Sequence, residues 1–202
     1  MLKVLLMVFV MYMVLAVVAK KNDEGNLSKK AEFLVTAEWN KDRKTEIDCD
    51  VDLWVRNPEG QIVYWRSKEN ALMNIERDDV GTRNDKFTNA NGEVIDANED
   101  KEYWYLRALM PGEYTANLHL YACLKGTVYL SGPISIPSLP VEVRLTKLNP
   151  KSKLVENKSI IFDTIWQEKT AFNFTINASG EVTKITQIPT KLVTVSNSTI
   201  TP

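Results

Sequence analysis

Asp48, Asp50 and Asp52 take every second position of the stretch TEIDCDVDLWVRNPEG, with Cys49, Val51 and Leu53 between them. In a β-strand, alternate residues share a face about 7 Å apart, so this spacing lines carboxylates along one side and a core along the other. Like charges in a row repel. Solvent, a basic side chain on the next strand, or a hard cation relieves that repulsion. Ca²⁺ takes about six to eight oxygen ligands, more than one strand can converge, so a loop has to contribute. Asp78 and Asp79 in ERDDVG are the carboxylates placed to do so. The candidate Ca²⁺ set is therefore Asp48, Asp50, Asp52, Asp78 and Asp79. The competing reading is a wet face whose aspartates pair with Arg43, Arg66 or Arg77, or accept hydrogen bonds from loop amides. EF-hand spacing is not met, because Val51, Asp52, Leu53 and Trp54 continue the strand pattern. Beyond this ion no cofactor is expected.

Catalytic groups are poorly supplied. His119 is the single histidine and sits inside an alternating strand. No Gly-x-Ser-x-Gly, Cys/His ligand cluster or phosphate-binding loop occurs. A glycosidase needs only two carboxylates, but among 26 acidic residues a chance pair is expected. The chain is therefore read as a non-enzyme. Trp104 alternates with Leu106 and Ala108 and reads as core. Tyr103 and Tyr105 share the other face with Arg107, which makes that trio the candidate ligand or partner face; sheet packing is the competing use of such aromatics.

Residues 4–19, VLLMVFVMYMVLAVVA, contain no charge, with Lys3 before them and Lys20 and Lys21 after. Apolarity on all sides has no use on a surface helix in water. A membrane helix needs about 20 apolar residues, with a lower limit near 17. Residues 1–19 reach that limit, with Val4, Leu5, Leu6, Phe9, Val10, Leu15 and Val18 facing lipid. A signal peptide cleaved after Ala19 is the alternative, and a hydrophobic segment buried in an assembly is a third reading. Lys20, Lys21, Lys29 and Lys30 follow the segment, and the positive-inside rule leans toward a cytoplasmic globular domain. Residues 20–30 read as a polar tether.

The 25 basic residues nearly balance the 26 acidic ones, without a basic stripe, so nucleic acid is not an expected partner. Two cysteines are too few for a disulfide scaffold. Cys49 alternates with Val51, Leu53 and Val55 and should face a core. Cys123 alternates with Tyr121 and His119, the less apolar side of its strand, so the thiols are expected apart and unbridged.

From Ala31 the pattern becomes short β-like runs punctuated by turns. Strands are expected at 31–39, 48–56, 61–66, 102–109, 112–124, 141–149, 152–162, 170–177 and 181–188. Asn57-Pro-Glu-Gly60 suits a type I turn, and Asn177-Ala-Ser-Gly180 a hairpin turn. Residues 67–100 read as a long functional loop. About nine short strands, with no 3.6-residue period after residue 20, argue an all-β antiparallel sandwich over 31–188 behind the N-terminal transmembrane helix. The last three strands form either part of that sandwich or a small separate sheet. A flexible tail is expected over 189–202.

DVDLWVRNPEGQIVYW, ERDDVGTRND and LRALMPGEYTANLHLY together resemble a family of uncharacterised bacterial and phage proteins. These carry one N-terminal membrane segment and a β-sandwich similar to the pre-peptidase C-terminal type. The resemblance implies a fold and an anchor, with no activity attached; some such sandwiches bind Ca²⁺ through carboxylates. The expectation is a single-pass, membrane-anchored β-sandwich. It would contact the bilayer through its helix and a protein partner through its domain, with a structural or assembly role in a bacterial envelope or phage. The alternative is a secreted or periplasmic carbohydrate- or Ca²⁺-binding accessory module.

Overall fold

The computed structural model describes residues 31–41, 47–76, 78–96 and 99–193. The expected membrane segment at 4–19, the tether at 20–30 and residues 194–202 lie outside these. Among the described residues no helix is long and apolar enough to cross a membrane.

Period-2 patterning drives the fold. In β1 (Phe33–Trp39), Phe33, Val35, Ala37 and Trp39 are buried and the residues between them are not. The same alternation runs through β7 (Asp100–Leu106). One sheet has the order β11-β10-β1-β7-β4, adding β4 (Met73–Ile75), β10 (Ser135–Lys147) and β11 (Lys153–Thr164). The second has the order β13-β12-β8-β2-β3, from β2 (Ile47–Arg56), β3 (Ile62–Val63), β8 (Gly112–Lys125), β12 (Glu168–Ile176) and β13 (Val182–Thr186), with β9 (Val128–Leu130) also on β8. All pairings are antiparallel. The two sheets enclose one hydrophobic core. At its centre Trp104 from the first sheet meets Tyr114 and Phe174 from the second, with ring centroids 6.0 and 6.4 Å away.

Three hairpins use one turn chemistry. In Asn57–Gly60, Asn89–Gly92 and Asn177–Gly180, the asparagine carboxamide oxygen accepts amides two and four residues on, and the glycine amide donates to the asparagine carbonyl. These are the local hydrogen bonds that favour Asn in turns.

The structure departs from the sequence reading in several places. Segment 67–100 is not one loop: it holds β4, a one-turn 3-10 segment (Gly81–Asn84) and the small hairpin of β5 (Lys86–Thr88) with β6 (Val94–Asp96). The last strands form no separate sheet, since β11 joins the first sheet and β12 and β13 the second. The strand expected at 102–109 stops at Leu106, and Ala108 is exposed. Residues 187–193 lie along β12 and β8: Asn117 Nδ2 donates to the Thr190 carbonyl at 2.6 Å and the Leu192 amide to Glu168 Oε1 at 2.6 Å.

The cysteines correct the expectation most directly. Cys49 and Cys123 face each other in register on β2 and β8 and form a disulfide. The reason is a bulge. Asp50 pairs with Ala122 but Val51 with Leu120, which leaves Tyr121 as an extra residue on β8. An extra residue inverts the alternation beyond it. Cys123 therefore leaves the side of Tyr121 and His119 and joins the core face of Leu118 and Leu120.

Candidate functional site

Strand β2 pairs with β8 along its length but with β3 only at Val55 and Arg56. Strand β7 meets β4 only from Trp104 to Leu106. Between these two uncovered edges runs the segment 78–85. An uncovered strand edge leaves amides that need acceptors. Carboxylates supply them: Glu102 Oε2 accepts the Leu53 N–H at 2.6 Å, and Asp79 Oδ2 accepts the Lys101 N–H at 3.0 Å. Asp79 Oδ1 takes the Gly81 amide at 3.0 Å.

The structure divides the five predicted acids among different tasks. Asp48 is drawn away, accepting the Thr82 hydroxyl at 2.6 Å and its amide at 3.1 Å, and so braces the 3-10 turn. Asp50 is buried and ion-paired to Arg83 at 3.4 Å. Arg66, one expected partner, instead lies over the Trp65 ring at 4.7 Å, while Arg43 and Arg77 lie outside the described residues. Asp52 and Asp78 come together with Glu102: each offers a carboxylate oxygen, and these lie within 4.8 Å of one another. Asp79 belongs to a second trio, with Asp85 and Asp100, of the same spacing. The two neighbours Asp78 and Asp79 are thus split between two acid groups.

The second trio is buried at all three positions, whereas the first opens to solvent at Asp78. Asp52 is 3 % and Glu102 1 % exposed, while Asp78 is half-buried. Asp52 has His119 Nδ1 at 3.4 Å. Asp78 has the Lys68 ammonium at 3.8 Å. Glu102 Oε1 is buried and has no hydrogen-bond partner among the described residues. Burial pushes the Glu102 carboxyl well above the usual range, with the Asp52 charge adding to it. Burial also raises Asp52, opposed by His119. Asp50 is pushed up to about 7, first by burial and then by the charges of Asp52 and Asp78.

Glu102 was missed from sequence although a signal was there. Trp104 and Leu106 read as one core face, and stepping back by two along the strand places Glu102 and then Asp100 on that face.

Tyr103, Tyr105 and Arg107 do share the outer face of the first sheet. The Tyr103 hydroxyl donates to Glu99 at 3.3 Å and that of Tyr105 to Glu76 at 3.0 Å, while Arg107 donates to Asn74 and Glu69. Beside them Glu38 gathers Lys41, Lys101 and Arg144 at 3.0, 3.3 and 3.6 Å. Lys41 also pairs with Glu142, and Arg144 binds Glu142 at 2.6 Å. The result is a face of tyrosines and paired charges. His119 Nδ1 lies 3.4 Å from Asp52 Oδ2, and both cysteines are bonded to each other.

No protein-family model matches the chain, and no curated protein matches it in sequence. A solved structure titled "Crystal structure of unknown function protein SAV2460" aligns with 81 % of this chain and 94 % of that one, at 10 % identity and a TM-score of 0.43. Likeness at this level supports no statement about function.

Proposed function

We propose that this chain is an exported, single-pass β-sandwich held at a bacterial or phage-associated membrane surface by residues 4–19, and that it acts by binding rather than catalysis. The observation that carries this reading is the Cys49–Cys123 bridge between two central strands. Disulfides persist in oxidising compartments and are rare in reducing cytosol. The bridge therefore favours the outer side of the membrane over the cytoplasmic side suggested by Lys20 and Lys21. The resemblance of 31–188 to anchored bacterial and phage sandwiches points the same way. The face around Tyr103, Tyr105 and Arg107 supports a protein partner: its side chains are already held by Glu99, Glu76 and Glu69, which lowers the ordering cost of association.

The test is the redox state of the protein in its own cells. Exchange is quenched by acid lysis, the protein is then alkylated in denaturant at about pH 8, where free thiols react as thiolates, and the intact mass is read. The reading expects no adduct and a mass lower by two hydrogens than the dithiol. Two adducts per chain would overturn it.

A further inference from the structure

We propose that Asp52, Asp78 and Glu102 form a Ca²⁺ site that ties the two sheets together at their open edge. The ligands come from three places: Asp52 from β2 of the second sheet, Glu102 from β7 of the first, and Asp78 from the segment between them. Their nearest carboxylate oxygens lie within 4.8 Å of one another. Proximity of acids alone does not make a site, since clusters of carboxylates are common on protein surfaces.

The independent observation is Glu102. Glu102 is 1 % exposed, its carboxylate belongs to this group, and its Oε1 has no hydrogen-bond partner among the described residues. A buried carboxylate with an unmet oxygen is strongly unfavourable unless it is protonated or paired with a cation. The basic groups recorded near the trio do not meet it. Lys68 reaches Asp78 and His119 reaches Asp52, while Arg83 is engaged with Asp50. A divalent ion among the trio would meet the Glu102 oxygen and offset two of its three negative charges.

The donor set selects the ion. All three ligands are hard carboxylate oxygens, which suit Ca²⁺ or Mg²⁺ rather than Zn²⁺. Three carboxylates on three separate elements make an adaptable cage, and Asp78 opens it to solvent, so waters complete the shell of about six to eight oxygens that Ca²⁺ takes. Mg²⁺ demands a tighter octahedron at about 2.0–2.1 Å. His119, held against Asp52, orients that ligand from behind, as outer partners commonly do at metal sites. The sequence reading placed Ca²⁺ along one face of β2. The proposed site lies instead at the seam between the sheets: it keeps Asp52 and Asp78, leaves out Asp48, Asp50 and Asp79, and brings in Glu102. The inference stands apart from the export reading, because it rests on the seam geometry and not on the compartment.

The experiment uses the full chain in detergent micelles, stripped with EDTA and dialysed. CaCl₂ and, separately, MgCl₂ are titrated by calorimetry, and thermal unfolding is followed at each concentration. The expected result is saturable binding of one Ca²⁺, a Tm that rises with Ca²⁺, and weaker binding of Mg²⁺. Glu102→Gln keeps the side-chain shape and an oxygen for the Leu53 amide. It should fold, show an ion-free Tm no lower than the native chain, and bind Ca²⁺ roughly tenfold or more weakly, since affinity follows the ligand charge count. If that variant does not fold, Asp78→Asn, on the half-buried segment, gives the same comparison. Glu181→Gln, at an exposed site away from the seam, should leave the Ca²⁺ response unchanged. Absence of heat and of any Tm rise at about 10 mM Ca²⁺, above the weakest extracellular sites, would overturn the proposal. So would equal Ca²⁺ binding by the native chain and both seam variants. Equal binding of Mg²⁺ would overturn the assignment to Ca²⁺.

Discussion

Removing the Cys49–Cys123 bridge should cost a large share of the domain's stability. The bonded cysteines are 74 residues apart in sequence. Closing a loop of that size in the unfolded chain removes conformational freedom worth about 4–5 kcal/mol in the chain-entropy picture. Typical domains have only about 5–15 kcal/mol in total. The double replacement Cys49→Ala/Cys123→Ala leaves two small apolar side chains on the core face, beside Val51 and Leu120, so no polar group is stranded. For a domain of about 150–250 residues, each kcal/mol moves Tm by about 2–4 °C, and a loss near 4 kcal/mol therefore lowers Tm by about 8–16 °C. The assay is guanidinium unfolding followed by tryptophan fluorescence, on oxidised native protein and on the variant. The variant should show a lower midpoint and a steeper dependence on denaturant, because its unfolded state is more expanded. Reductant should not attack the folded native protein readily, since both sulfurs are buried. A difference under about 1 kcal/mol, below the range usual for a disulfide of this span, would refute the reasoning.

Three further outcomes follow from the packing and the charges. Phe174→Ala should cost about 3–5 kcal/mol by chemical denaturation, because the ring is fully buried and stacks on Tyr114 with centroids 5.1 Å apart. Gly180→Ala should cost about 1–2 kcal/mol from backbone strain alone; its φ is +76° and the new Cβ would sit 2.8 Å from a Leu109 methyl. Hydrogen bonds from Lys41 and then Arg144 hold the Glu142 carboxyl down to about 2. A carboxyl lowered by folding adds stability that is full above its unfolded value, about 4.3, and fades as pH falls toward 2. Glu142→Gln should therefore flatten the loss of stability between about pH 5 and 2, by less than about 1 kcal/mol because the pair lies near the surface.

What the sequence reveals, and what it hides, follows the range of the interactions. Alternation within one strand is local, so β1, with Phe33, Val35 and Ala37 on one face, and β2 were legible. The hairpin turns at Asn57 and Asn177 were legible because Asn and Gly act on their own backbone. The two-residue β3 and three-residue β4, β5, β6 and β9 are too short to carry a period. The start of β10 was hidden by Pro137 and Pro140, residues that normally argue against a strand, and its pairing with β11 is irregular between Ser135 and Leu139. The disulfide depended on the bulge at Tyr121, a feature of the pairing of two strands and not of either alone. The alternation of Asp48, Asp50 and Asp52 along one strand was legible because it is local. Their partners were not legible, because Glu102 reaches β2 from the opposite sheet and Asp48 is diverted by Thr82, contacts set only when the edges of β2 and β7 meet.

The location of the domain tests the account most directly. Sealed spheroplasts carrying the native chain are treated with protease from outside, with and without detergent, and the recovered fragments are weighed by intact-mass spectrometry. The account predicts that residues 31–193 are accessible without detergent and that the recovered material carries the Cys49–Cys123 bond. A full-length chain protected until detergent is added, with both cysteines free, would place the domain in the cytoplasm and contradict it.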